Sequence, residues 1–146
     1  MKTILQIAII WICLILLVTT CKDKVGHDSI KVVNNSDNAI YFDFSYRYPD
    51  TIPVQNPLPG RNYAKVLGHS SGKEQDRDPY EGTISGSRGG KIMCYIYDAH
   101  VLETTPWDTI VKYYMIVKRY DLTEQELNSM NWTITYPAPH DMLKSY

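Results

Sequence analysis

The chain has 146 residues, with 15 lysines and arginines against 16 aspartates and glutamates and a formal net charge of −1 at pH 7. That length forms one domain around one core, so no second domain is expected. The near balance of charge, without a basic tract, excludes the phosphate-neutralising surface that nucleic-acid binding requires.

Lys2 precedes an apolar run, Ile4 to Val18, interrupted only by Gln6, and the run leads into Thr19-Thr20-Cys21. A charged start, an apolar middle and a small-residue exit are the pattern of an export signal. The run is shorter than the roughly 20 apolar residues that a membrane helix needs. Its exit resembles a bacterial lipobox, which implies cleavage before Cys21, acylation of that cysteine with fatty acid (palmitate) and attachment to a membrane. An ordinary cleaved signal and an uncleaved anchor remain the alternatives, and all three place the following residues outside the inner membrane. Thr20 stands where that motif usually has Gly, Ala or Ser, which implies slower cleavage. On the lipobox reading residues 1–20 are the signal, 21–28 the lipidated cysteine and a polar tether, and 29–146 a single domain. Cys13 then leaves with the signal and Cys94 is the one free thiol, so packing rather than a disulfide must hold the domain together. Cys94 lies in an apolar strand and is expected in the core.

Beyond the tether, Ser29 to Val33 reads as a strand. Asn34-Asn35-Ser36-Asp37-Asn38 reads as its turn, because Asn and Asp tolerate left-handed backbone and bond their own main chain. Ile40, Phe42, Phe44 and Tyr46 then alternate with Tyr41, Asp43, Ser45 and Arg47, which predicts the returning strand of a hairpin with one core face and one wet face. Pro49, Pro53, Pro57 and Pro59 predict an irregular stretch from Tyr48 to Asn62. Tyr63 to Leu67 reads as a short strand, Gly68 to Pro79 as a flexible loop without apolar period, and Tyr80 to Ser85 as a weak strand. Gly86-Ser87-Arg88-Gly89-Gly90 predicts a hairpin turn. In Lys91 to Asp98 both alternating sets are apolar or aromatic, which marks a central strand.

Thr105-Pro106-Trp107-Asp108 combines a capping hydroxyl, a proline at the first helical position and an acid in the first turn, and predicts a short helix. Tyr113 to Tyr120 reads as a strand. Thr123 and Glu126 form a capping box and Leu122 and Leu127 a hydrophobic staple, predicting a helix to about Met130 with Asn131 as its left-handed stop. Trp132, Ile134 and Tyr136 alternate in a last strand. About seven short strands with one or two short helices indicate a mainly β protein, an antiparallel sandwich of immunoglobulin-like type.

Three runs, Val33-Asn34-Asn35-Ser36-Asp37, Tyr48-Pro49-Asp50-Thr51, and Arg119 to Thr123 with Asn131 to Pro137, resemble small envelope lipoproteins of Bacteroidetes. That group has no established activity, so the resemblance implies location and fold and adds no catalytic residue. Lys22-Asp23-Lys24 is likewise similar to the surface-export signals of such lipoproteins. Asp28-Ser29-Ile30, Asp50-Thr51-Ile52 and Asp108-Thr109-Ile110 resemble the motif at which those bacteria attach O-glycans, which would make Ser29, Thr51 and Thr109 the acceptors.

Chemistry is sparse. His27, His69, His100 and His140 lack the close spacing of metal ligands. Gly86 to Lys91 is one residue short of a phosphate-binding loop and is followed by a strand where a helix is required. Cys94 has no local signature of a nucleophile. No catalytic residue, metal or cofactor is expected. Twelve tyrosines and three tryptophans provide rings for stacking on sugars or anchoring a protein, unless they serve as ordinary half-buried strand residues. The expected function is therefore non-enzymatic: an envelope lipoprotein, on a face of the outer membrane left undecided, that binds a protein or glycan or supports an assembly. The alternatives are a polymer-degrading hydrolase using carboxylates among Asp43, Asp50, Asp98 and Asp108, and a periplasmic immunity protein against a toxin. Cys21→Ser is expected to release the domain from membranes or to stall it uncut, since acyl chains supply the attachment. Metabolic labelling with a palmitate analogue checks this, and an unlabelled native protein rules the anchor out.

Overall fold

The computed structural model describes residues 26–50, 52–53, 56–58 and 65–138; the signal run, Cys21, Thr51 and the start of the strand read at Tyr63 lie outside them. The described residues form six strands, β1 (Ser29–Asn34), β2 (Ile40–Ser45), β3 (Ser70–Gln75), β4 (Lys91–Asp98), β5 (Lys118–Thr123) and β6 (Thr133–Tyr136). Four short helices accompany them: α1 (Tyr80–Gly86), α2 (Ala99–Thr104), α3 (Trp107–Lys112) and α4 (Glu124–Ser129). The strands make two three-stranded sheets, β3-β1-β6 and β2-β4-β5. The protein is mainly β, as its sequence predicts. Pairing is antiparallel except between β1 and β6, which run parallel with Lys31 opposite Thr133 and Asn34 opposite Tyr136.

The central strand is β4, and Ile92 to Tyr97 are all buried. Ile92, Cys94 and Ile96 face a core shared with Ile30 and Val32 of β1, Phe42 and Phe44 of β2, Ile134 of β6 and Tyr80 and Ile84 of α1. Both sheets therefore contribute to one interior. Met93, Tyr95 and Tyr97 face the other way, onto Leu102 of α2 and Ile110 of α3. This second layer overturns the expected wet face of β2: Tyr41 packs on it and Asp43 is buried, because α2 and α3 cover that side of the sheet.

Four further expectations are corrected. β1 and β2 belong to different sheets and form no hairpin. The buried Asn34 side chain redirects the chain between them, its amide nitrogen bonding the carbonyls of Asn38, Val66 and Leu67 while its oxygen accepts from the Ser36 amide and hydroxyl. The stretch read as a loop before Pro79 contains β3, a strand without apolar period because Gly72 and Glu74 alternate with the exposed Ser71, Lys73 and Gln75. A Cβ on Gly72 would lie 2.7 Å from Val66 Cγ2 and 3.0 Å from Phe42 Cε1, so only glycine lets the strand approach the core there. Tyr80 to Ser85 is helical, with Tyr80 and Ile84 buried one turn apart. The glycine turn after it leads from α1 into β4 rather than closing a hairpin, with Gly89 and Gly90 at φ 72° and 62°.

The carboxy-terminal third follows its sequence signals more closely. The Thr123 hydroxyl accepts from the Glu126 amide, and the Glu126 carboxylate accepts from the Thr123 amide at 2.8 Å. Leu122 and Leu127 enter the first core. Asn131 and Trp132 both take left-handed backbone, at φ 48° and 53°, and swing the Trp132 ring inward until it is 4% exposed. Its indole nitrogen donates to Asn128 Oδ1 at 2.9 Å. α3 starts at Trp107 as expected, but Pro106 occupies its cap and no side-chain hydroxyl bonds the first turn. β5 begins only at Lys118; Tyr113 to Val117, read as strand, is a turn with Tyr114 at φ 50°. α2 was not foreseen, and its cap is Asp98, whose carboxylate accepts from the Val101 amide at 3.0 Å.

Gly26 to Asp28, read as the end of a tether, lie against the domain. The His27 ring stacks on Trp132 with centroids 4.3 Å apart. Glu81 of α1 accepts from the His27 amide at 3.0 Å and lies 2.7 Å from its Nδ1. Burial acts to raise the Glu81 pKa, but the bonds from His27 outweigh it and hold the carboxyl below the ordinary 4.5. Its contribution to stability is therefore present above that value and lost as pH falls through the lower folded one. Glu81→Gln is expected to flatten the acid limb of stability below about pH 4.5 in denaturant melts run across pH. In the same melts Trp132→Ala is expected to cost about 3–5 kcal/mol, and Thr123→Ala only about 1 kcal/mol, the usual loss for a cap.

Candidate functional site

The outer surface of the α2–α3 layer carries a groove of about 760 Å³ lined by Pro49, Asp50, Ile52 and Pro53 on one side and Trp107, Asp108, Val111 and Lys112 on the other. The helical wall follows from the period of α3. Ile110 is buried against the sheet, which turns Trp107 and Val111, one turn apart, and their neighbours Asp108 and Lys112 toward the groove. Trp107 is half-buried, its ring centroid 6.1 Å from that of Tyr97.

The opposite wall is fastened to the sheet from beneath. Tyr48 packs into the second cluster with Lys91 Nζ 5.0 Å from its ring centroid, and the Asp50 amide donates to the Arg47 carbonyl at 2.8 Å. The Tyr95 hydroxyl donates to the Asp50 carbonyl at 3.1 Å. Burial pushes the Tyr95 pKa up to about 12, so this hydroxyl keeps its proton at any physiological pH.

Directly after Lys112 the chain exposes Tyr113, Tyr114, Met115 and Val117, at 66%, 44%, 37% and 47%, and across the groove Ile52 is 59% exposed. Exposed large apolar groups that form a contiguous patch mark an interaction surface, which makes this stretch a candidate for one. Tyr80, Tyr95 and Tyr97 are fully buried, and Tyr41, Tyr46, Tyr48, Tyr120 and Tyr136 pack against the two cores. Among the described residues the tyrosines are therefore mainly structural, with Tyr113 and Tyr114 the two classed as exposed.

The four carboxylates singled out in the sequence are divided by the fold. Asp50 and Asp108 face one groove; Asp98 caps α2 and Asp43 is buried on β2. Cys94 is fully buried, and desolvation raises its thiol pKa well above the ordinary value, an environment that suppresses nucleophilicity. Among the described residues no three His, Cys, Asp or Glu side chains gather as a metal site would require; His69 lies beside Asp37 on the surface, His100 is exposed on α2, and His140 lies outside the described residues. Of the glycan acceptors, Ser29 opens β1 and Thr109 sits half-buried in α3, and the isoleucine after each is core. Thr51 and Cys21 lie outside the described residues. The sequence named the aspartates of the groove but not Val111, Lys112 or Ile52 as a surface; the unbroken apolar run Tyr113 to Val117, too long on both faces for a strand with one wet side, was the available signal.

Comparison with family models, with curated proteins and with solved structures finds no match for this chain.

Tyr95→Phe removes the bond under the proline wall, at an expected cost of about 0.5–1.5 kcal/mol. Amide exchange should speed up at Asp50 and Ile52 while β4 stays protected; unchanged exchange at both would show that the wall is held by other contacts.

Proposed function

We propose that the protein is a lipid-anchored module of the bacterial envelope, attached through Cys21 at the outer membrane, that binds a partner in the groove between α3 and the wall of Pro49, Asp50, Ile52 and Pro53 without chemical turnover. The observation that carries this reading is the groove itself, whose α3 wall leads in sequence directly into the exposed Tyr113, Tyr114 and Met115. A toxin held by an immunity protein would be one such partner. The immunoglobulin-like arrangement belongs to the same proposal. The core shared by both sheets supports it, while the parallel β1–β6 pair and the α2–α3 layer depart from a purely antiparallel two-layer form.

One observation favours the hydrolase alternative, the presence of Asp50 and Asp108 on the same groove. Both are exposed, whereas a general acid relies on burial to keep its proton near neutral pH. The binding reading is therefore preferred.

A photo-crosslinker at Tyr113 in living cells is expected to give a discrete adduct in the membrane fraction. Val111→Glu should reduce that adduct about tenfold, a loss near 1.4 kcal/mol, with no change in Tm. An adduct untouched by Val111→Glu, or none at all, overturns the binding reading; polymer hydrolysis abolished by Asp50→Asn or Asp108→Asn establishes the alternative.

A further inference from the structure

We infer that the groove's ligand is a peptide segment of a protein in which a lysine or arginine neighbours apolar side chains. This rests on the binding reading and names its partner's chemistry. Asp50 comes from the proline wall and Asp108 from the first turn of α3, so the groove carries a carboxylate on each side. The one cation among its described lining residues, Lys112, lies over the Tyr113 ring, with Nζ 5.3 Å from the centroid. The lining thus offers two acceptors to an incoming cation, and Trp107 adds an aromatic surface on which an ammonium or guanidinium gains further attraction.

The remaining lining residues select peptide over glycan. Pro49, Ile52, Pro53 and Val111 bring no side-chain donor, and Ile52 among them is an exposed aliphatic group. Such groups gain by burying other apolar side chains. A sugar would set its hydroxyls against them without partners, which costs free energy. A cationic side chain fixed between the carboxylates, with apolar neighbours on Ile52, Pro53 and Val111, satisfies both parts of the lining.

The full chain in non-ionic detergent can be titrated calorimetrically with end-blocked hexapeptides alternating leucine with lysine, glutamate or glutamine, and with a neutral oligosaccharide. The lysine peptide is expected to bind at least about tenfold more tightly than the other two, and to lose that advantage in the Asp50→Asn/Asp108→Asn double variant and in high salt. Both substitutions are at exposed positions, and an unchanged Tm shows that the variant is folded. If the glutamate or glutamine peptide binds as tightly, or if the lysine peptide ignores the double variant, the inference falls and the groove remains a binding site. If the oligosaccharide binds and Val111→Glu abolishes it, the ligand is a glycan and the inference falls. If no probe responds to Val111→Glu, the inference and the binding reading fall together.

Discussion

Six consecutive residues of β4, Ile92 to Tyr97, lose contact with water, and a strand buried on both faces obliges the rest of the chain to supply two covers. On one side the β3-β1-β6 sheet, α1 and α4 do so; on the other α2 and α3 do. The side chains differ to match. Ile92, Cys94 and Ile96 meet aliphatic groups and the two phenylalanines, while Met93, Tyr95 and Tyr97 pack on Leu102 and Ile110, and the Tyr95 hydroxyl reaches out to the Asp50 carbonyl. The groove is a consequence: its proline wall is fastened to a tyrosine of β4, and its helical wall is the cover that the same face of β4 required.

Elements whose signals are local were legible. The Thr123–Glu126 box, the left-handed Asn131 and the double apolar alternation of β4 each depend on residues a few positions apart, and each takes the predicted form. Elements whose reason lies across the fold were not. β3 has Gly72 and Glu74 on its inner face, chosen for the close approach of Val66 and Phe42, so it carries no periodic signature of its own. Asn34 looked like an ordinary turn residue, yet its side chain bonds carbonyls more than thirty positions away in sequence. Trp132 was read as a residue of the last strand, and its stacking on His27 depends on a contact between the two ends of the described chain.

The groove was legible only in fragments for the same reason. Asp50 and Asp108 could be named as carboxylates, but their meeting depends on Tyr48 and Tyr95 pinning one segment and on Ile110 orienting another. The wealth of tyrosine was a poorer guide to binding than it promised, since β4 and its covers consume most of the rings. Among the described residues only Tyr113 and Tyr114 are left exposed, while the other tyrosines are buried or half-buried.

The order of layers bears on how a tethered module would meet its partner. The chain enters the domain at Gly26–Asp28, where His27 is clasped by Trp132 and Glu81 on the side of the first core, and continues into β1. The groove lies on the opposite face of the β2-β4-β5 sheet, beyond the shared interior. Packed sheets stand about 10 Å apart and a helical layer adds about as much again, so the His27 clasp and the groove belong to different layers of the molecule. The contacts of His27 with Trp132 and Glu81 thus fix that end of the described chain on the side of the first core, while Asp108 and Lys112 of α3 stay exposed on the other.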